Sequence, residues 1–126
     1  MKKLDIINMA FDELGLSGYI YDLEPEQLEL ANKKISAMIA SWSLGSVRTQ
    51  WRFNTPYTDD ADIANNIVEA VYLNAAVRLA PSLGKVATQD TKLAAKKALE
   101  AIIGSKKPHS LDDDGNYPNN IVGLTL

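Results

Sequence analysis

The stretch from Ile63 to Leu79 constrains this chain more than any other. Ile63, Ala64, Ile67, Val68, Ala70, Val71, Tyr72, Ala75, Ala76, Val77 and Leu79 recur at helical spacing and cover much of the helix circumference. A helix apolar over so wide an arc must lie at the centre of a fold, or be buried by more than one neighbour. In a chain of 126 residues, a second subunit is a natural candidate for the extra neighbour, which is a residue-level hint of oligomerisation. The helix is expected to open at Asp59, Asp60 and Asp62, whose negative charge favours a helix N-terminus. It should run to Ala80 and be stopped by Pro81 and Gly84.

Three further helices are predicted around it. Leu4, Ile7, Phe11 and Leu14 mark an amphipathic helix over residues 3–14, with Gly15 placed for a left-handed C-cap. A second begins near Glu24-Pro25, where proline fits a first turn, and carries the stripe Leu28, Ala31, Ile35, Met38, Ile39 and Trp42. Glu29 and Lys33, four apart on its other face, are expected to pair. A fourth spans about Thr88 to Ile103, with Ala95, Ala98, Leu99 and Ile102 inward, Lys92, Lys96 and Lys97 in water, and Gly104 as C-cap.

Between the second and third helices the period changes. Val47, Thr49, Trp51 and Phe53 alternate with Arg48, Gln50 and Arg52 in the two-residue rhythm of a strand, closed by Asn54-Thr55-Pro56. A lone strand needs a partner for its backbone groups. None is evident, so the segment either lies on the bundle or pairs with another chain. Trp51 and Phe53 are expected to pack inward and the arginines to face solvent.

These elements define an all-α chain: a small bundle of about four helices, one short extended segment and an irregular C-terminal tail. Residues 1–104 form the helical domain and 105–126 an extended or flexible arm. The tail is polar through Asp112-Asp113-Asp114-Gly115-Asn116 and Pro118-Asn119-Asn120, then turns apolar at Ile121-Val122-Gly123-Leu124-Thr125-Leu126. An apolar end on a polar tail suggests an arm that docks.

Composition narrows the chemistry. With no cysteine, disulfide scaffolds, thiol nucleophiles and cysteine-based zinc sites are excluded. A formal net charge of -3 argues against a general phosphate clamp. No stretch is apolar for long enough to cross a bilayer, and the first twenty residues lack a signal-peptide core, so synthesis in the cytoplasm is expected. His109, the single histidine, reads as a solvated tail residue. The Asp112–Asn116 run has its glycine at the fourth position instead of the sixth a calcium loop requires. No catalytic residue, metal or cofactor is expected.

Arg48, Gln50, Trp51, Arg52 and Phe53 remain the best partner-binding candidates. Arginine and tryptophan are common interface anchors. A DNA-contacting packaging or regulatory module would use the same residues for phosphates and base stacking. A small hydrolase acting on cell-wall glycans through Glu13 or Glu24 is a third possibility.

Three stretches together resemble one family. They are Ala10-Phe11-Asp12-Glu13-Leu14-Gly15-Leu16; Leu23-Glu24-Pro25-Glu26 followed by Ala31, Met38-Ile39-Ala40 and Trp42; and Ala70, Leu73-Asn74-Ala75-Ala76, Arg78-Leu79-Ala80-Pro81 and Gly84. In order and spacing the chain resembles the head-to-tail adaptors of short-tailed phages, also called tail accessory or packaged-DNA stabilisation proteins. The resemblance implies a ring of about a dozen copies beneath the portal, closed by heterologous contacts. Such a ring lengthens the DNA channel, retains the packaged DNA, which passes without tight binding, and receives later tail components at the head–tail junction of the virion. Asn74 and Arg78 join the Arg48–Phe53 residues as subunit or portal interface candidates. The family's C-terminal arm implies portal docking here by Lys106, Lys107, Tyr117, Ile121, Val122, Leu124 and Leu126, although this tail is short.

Overall fold

α1 (Lys3–Glu13), α2 (Pro25–Ser43), α3 (Asn65–Leu79) and α4 (Gln89–Lys106) follow one another in the computed structural model, with single 3₁₀ turns at Tyr19–Asp22 and Pro81–Leu83. The structure describes residues 1–44 and 47–106, with side chains as far as Ile103. Among these the fold is helical, with no strand and no sheet.

α3 is the centre. It packs against α1, α2 and α4, and Ile67, Val68, Ala70, Val71, Leu73, Ala75, Ala76 and Leu79 are all buried. Its wide apolar arc is therefore covered by three helices of its own chain. The arc no longer calls for a second subunit. α4 runs antiparallel to α3: Ala98, Ala101 and Ile102 face Asn66, Glu69 and Ala70, and Ala95 lies opposite Asn74. Ile6, Ile7, Ala10 and Phe11 of α1, and Leu28, Ala31, Ile35, Met38 and Ile39 of α2, fill the rest of the core.

The α1 boundary follows the predicted cap. Gly15 adopts φ +75°, its N–H bonds to Asp12 O at 3.0 Å, and the Leu16 N–H bonds to Phe11 O at 2.9 Å. This paired arrangement satisfies the last carbonyls and sends the chain back across the helix end. α2 opens as expected at Pro25, and the Gln27 side chain accepts the Glu24 N–H at 2.9 Å.

Three boundaries and one pair differ from expectation. α3 starts at Asn65, not at Asp59, because the aspartates are engaged elsewhere. Asp60 Oδ1 accepts the Asp62 N–H at 2.8 Å, Asp62 adopts φ +65°, and Lys3 N–H bonds to Asp59 O at 3.0 Å. Short side chains that bond local backbone compete with helix formation. At its other end α3 stops at Leu79, and Ala80 leads into the 3₁₀ turn. α4 continues through Gly104 to Lys106, so Gly104 is not its cap. Glu29 does not pair with Lys33: its Oε1 accepts from Asn32 Nδ2 on the same helix at 2.6 Å, and its Oε2 accepts the Tyr57 N–H at 3.4 Å.

Residues 47–64 form an extended ledge laid along α1 and α2. Val47, Thr49 and Trp51 are buried and Arg48, Gln50 and Arg52 are exposed, as the alternation predicts. The rhythm does not make a strand, because Gln50 and Asn54 adopt left-handed φ of 65° and 63° and break the pleat. Phe53 is consequently turned outward and 44% exposed, against the expectation that it packs inside. The partners of the ledge backbone come from its own far end and from residues 1–3. Arg52 N–H bonds to Ala61 O at 3.2 Å, and Ala61 N–H bonds to Met1 O at 2.9 Å.

Candidate interaction surface

A buried polar clamp fixes the ledge. Lys3 has no exposed surface although it carries an ammonium group. Its Nζ donates to Thr55 Oγ1 at 2.8 Å and Thr55 O at 3.1 Å, and lies 4.9 Å from the Trp51 ring centroid. Asn32 Nδ2 donates to the same Thr55 carbonyl at 3.0 Å, and Thr55 Oγ1 donates to Arg52 O at 3.2 Å. Trp51 Nε1–H completes the attachment by donating to Ser36 Oγ at 2.9 Å. Burial lowers the Lys3 pKa from its ordinary 10.5, while nearby Glu29 and Asp59 work in the opposite direction.

None of Lys3, Asn32, Ser36 or Thr55 was singled out by sequence reasoning. A signal existed in part: Lys3 precedes Ile6, Ile7 and Ala10 at spacings of three, four and seven, and Asn32 lies among Leu28, Ala31 and Ile35. A polar residue on the inward stripe of a helix must find a buried partner.

The clamp presents the outer side of the ledge. Arg48, Gln50, Arg52 and Phe53 are exposed there, and Phe53 stands between two open clefts. One, of about 520 Å³, lies toward Glu29, Lys33 and Pro56; the other, of about 380 Å³, lies toward Ile39, Ser43 and Arg48. A projecting aromatic with a hollow on each side and arginines alongside has the chemistry of an interface anchor. Trp51 lines the second cleft with only a small part of its side chain. It is 4% exposed and held from below, so base stacking has no tryptophan to use.

The other candidates are dispersed. Asn74 is a brace inside the chain: its Nδ2 donates to Ala70 O at 2.8 Å and across to Ala95 O at 3.0 Å, tying α3 to α4. Asn74→Ala is expected to lower stability by about 1–2 kcal/mol, readable in urea unfolding, because Ala95 loses its cross-helix donor. A loss below about 0.3 kcal/mol would show that the brace carries no weight. Arg78 is exposed in the last turn of α3, where a cation complements the helix dipole. Lys106 is the last residue of α4, and only its backbone is described. Lys107, His109, the Asp112–Asn116 run, Tyr117, Ile121, Val122, Leu124 and Leu126 lie outside the described residues.

Glu13 and Glu24 are exposed at helix ends. Among the described residues no group of His, Asp and Glu is gathered to hold a metal ion, and no helix is long and apolar enough to cross a membrane.

A second feature lies at the opposite pole from the α4 terminus. Phe11, Tyr19, Leu23, Leu30, Leu79 and Leu83 line a groove of about 200 Å³ where the ends of α1 and α3 meet the start of α2. Phe11 and Tyr19, the first buried and the second exposed, form an edge-to-face pair there with ring centroids 6.0 Å apart. Compared with known proteins, the chain matches no family model, and no curated protein is significantly similar to it.

Proposed function

We propose that this chain is a structural virion protein, a head-to-tail adaptor that assembles as a ring on the portal. One observation carries the reading. The three stretches that resemble the adaptor family are far apart in sequence, yet Phe11, Leu23 and Leu79, one from each, line the same groove. The three stretches thus contribute to one contiguous surface, which a single partner such as the portal or the next copy can contact at once.

In this role the ring extends the DNA channel, retains packaged DNA and receives later tail components at the head–tail junction, after synthesis in the host cytoplasm. A net charge of -3 suits a channel that lets DNA pass without gripping its phosphates. Phe53, flanked by Arg48 and Arg52, supplies the anchor toward the portal or the next copy in the ring.

Velocity sedimentation with portal rings of the phage that encodes the chain tests this directly. Wild-type protein should move with the ring, and a chain that stays free at micromolar concentrations would overturn the adaptor reading. The triple substitution Arg48→Glu, Arg52→Glu and Phe53→Ser should weaken that association at least about tenfold. Its fold should be retained, because these side chains point to solvent. A triple variant that co-sediments like wild type would remove the ledge from the interface and leave the adaptor role standing.

A further inference from the structure

The charges of this chain are sorted by position. Residues 4–32 carry Asp5, Asp12, Glu13, Asp22, Glu24, Glu26 and Glu29 with no lysine or arginine, whereas residues 78–97 carry Arg78, Lys85, Lys92, Lys96 and Lys97 against Asp90 alone. The fold keeps the two sets apart. α4 packs on α3 and makes no comparable contact with α1 or α2, so its lysines and the acidic end of α1 and α2 lie on opposite flanks of α3. Among the described residues the one ion pair joins the N-terminal ammonium to Asp60, and no lysine or arginine meets a carboxylate. Each flank also leaves apolar side chains in water. Leu30 is 54% exposed at the rim of the groove and Tyr21 is 85% exposed between its lining residues Tyr19 and Leu23, with Asp12, Glu13, Asp22 and Glu24 exposed on the same segments. On α4, Leu93 is 51% exposed on the face it shares with Lys96 and Lys97, and Val86 is 87% exposed beside Lys85. Lys34 at the groove edge, and Asp90 and Glu100 on α4, are the minority charges of the two faces.

We infer that these two faces are the joint between neighbouring copies of this chain: the Leu93 face of α4 seats on the groove of the next copy, its lysines against the carboxylates around that groove. Charge selects the occupant. Two acidic ends, or two lysine faces, repel each other, so each face finds its complement only on the other flank of a second copy. The groove has an apolar floor at Phe11 and Leu79 and a polar rim, which matches a leucine framed by amines better than a wholly apolar partner. Unlike faces on opposite flanks make a heterologous contact, which repeats from copy to copy and closes into a ring where the rotation allows. Both faces also flank the C-terminal half of α3: Ala95 of α4 meets Asn74, and the groove reaches Leu79. Copies joined there stand side by side, not end on end. The joint deepens the adaptor reading, on which closure into a ring rests, and leaves the Phe53 ledge free for the portal.

Sedimentation equilibrium of the full chain, without portal, reads the joint. In about 20 mM salt the weight-average mass should rise with protein concentration up to about 1 mM, and about 0.5 M salt should weaken the association at least tenfold. Lys92→Glu, Lys96→Glu and Lys97→Glu together, or Asp12→Lys, Glu13→Lys and Asp22→Lys together, should each weaken it by about tenfold or more. All six side chains are exposed and none lies in the first turn of α1 or α2, so both variants should keep the wild-type circular dichroism. An equimolar mixture of the two variants should associate again, because every acidic face then has a basic one to meet. Wild type that stays monomeric at the highest concentration, or a mixture that does not recover, would overturn the joint. A monomeric wild type that binds short duplex DNA in the same buffer, and loses it with the three lysines, would also overturn it and assign that face to phosphates. Co-sedimentation with portal rings is a separate readout: portal binding without self-association would sink the joint alone, and self-association without portal binding would sink the adaptor reading alone.

Discussion

Replacing Trp51 by alanine is expected to lower the unfolding free energy by about 3–5 kcal/mol. Three losses combine at this side chain. The indole is 4% exposed, so its removal leaves a cavity between the ledge and α2. Its Nε1–H no longer satisfies Ser36 Oγ, now reached at 2.9 Å. The ring face also disappears from beneath the Lys3 ammonium, 4.9 Å from the centroid, and that charge is enclosed without it. Domain stability is typically about 5–15 kcal/mol, so the variant should be close to the threshold of folding. Trp51→Phe separates the terms: it keeps most of the apolar contact, gives up the N–H donor and should recover more than half of the loss. Urea unfolding followed by circular dichroism measures both. An alanine variant within about 1 kcal/mol of wild type would mean that the ledge is not held through this residue.

The helices were legible because their stripes repeat locally, and Leu28, Ala31, Ile35, Met38 and Ile39 could be read as one buried face from α2 alone. The ledge was legible by half. Alternation at 47–51 correctly divided buried Val47, Thr49 and Trp51 from exposed Arg48 and Gln50, since burial follows side-chain direction. What the alternation could not reveal was the backbone conformation, because left-handed Gln50 is not a residue that advertises positive φ. That turn, with the one at Asn54, is what delivers Phe53 to the surface. The clamp was hidden for a different reason. Lys3 and Thr55 are 52 positions apart, and only the fold brings them within 2.8 Å. The same holds for the groove: each of its walls is an ordinary helix end in sequence, and only α3 at the centre brings them together.

Lys3→Ala should be the other severe substitution, costing about 2–4 kcal/mol, with a pH dependence that identifies its cause. Alanine removes a buried aliphatic stem and a charged donor that serves both oxygens of Thr55. Lys3→Met retains the stem and deletes the charge, so it should lose less than alanine. The two differ from wild type in titration as well. Burial lowers the Lys3 pKa in the folded chain from its ordinary 10.5, so between these two values the unfolded chain binds more protons than the folded one. Stability contributed through Lys3 therefore rises with pH across that window, and is flat below it, where both states are protonated. Tyr72 acts oppositely. Its pKa is raised above 10.0, first by burial and then by Glu13 and Glu69, so the unfolded chain releases that proton first and stability falls once pH passes 10.0. Lys3→Met removes the rise and leaves the Tyr72 fall intact. The stability gap between wild type and Lys3→Met should consequently widen in favour of wild type as pH climbs toward 10.5, and stay constant around neutrality. Urea titrations at a series of pH values measure the gap. A gap unchanged across the whole range would show that the ammonium is as well accommodated in the clamp as in water, and Lys3 would then act through its stem alone.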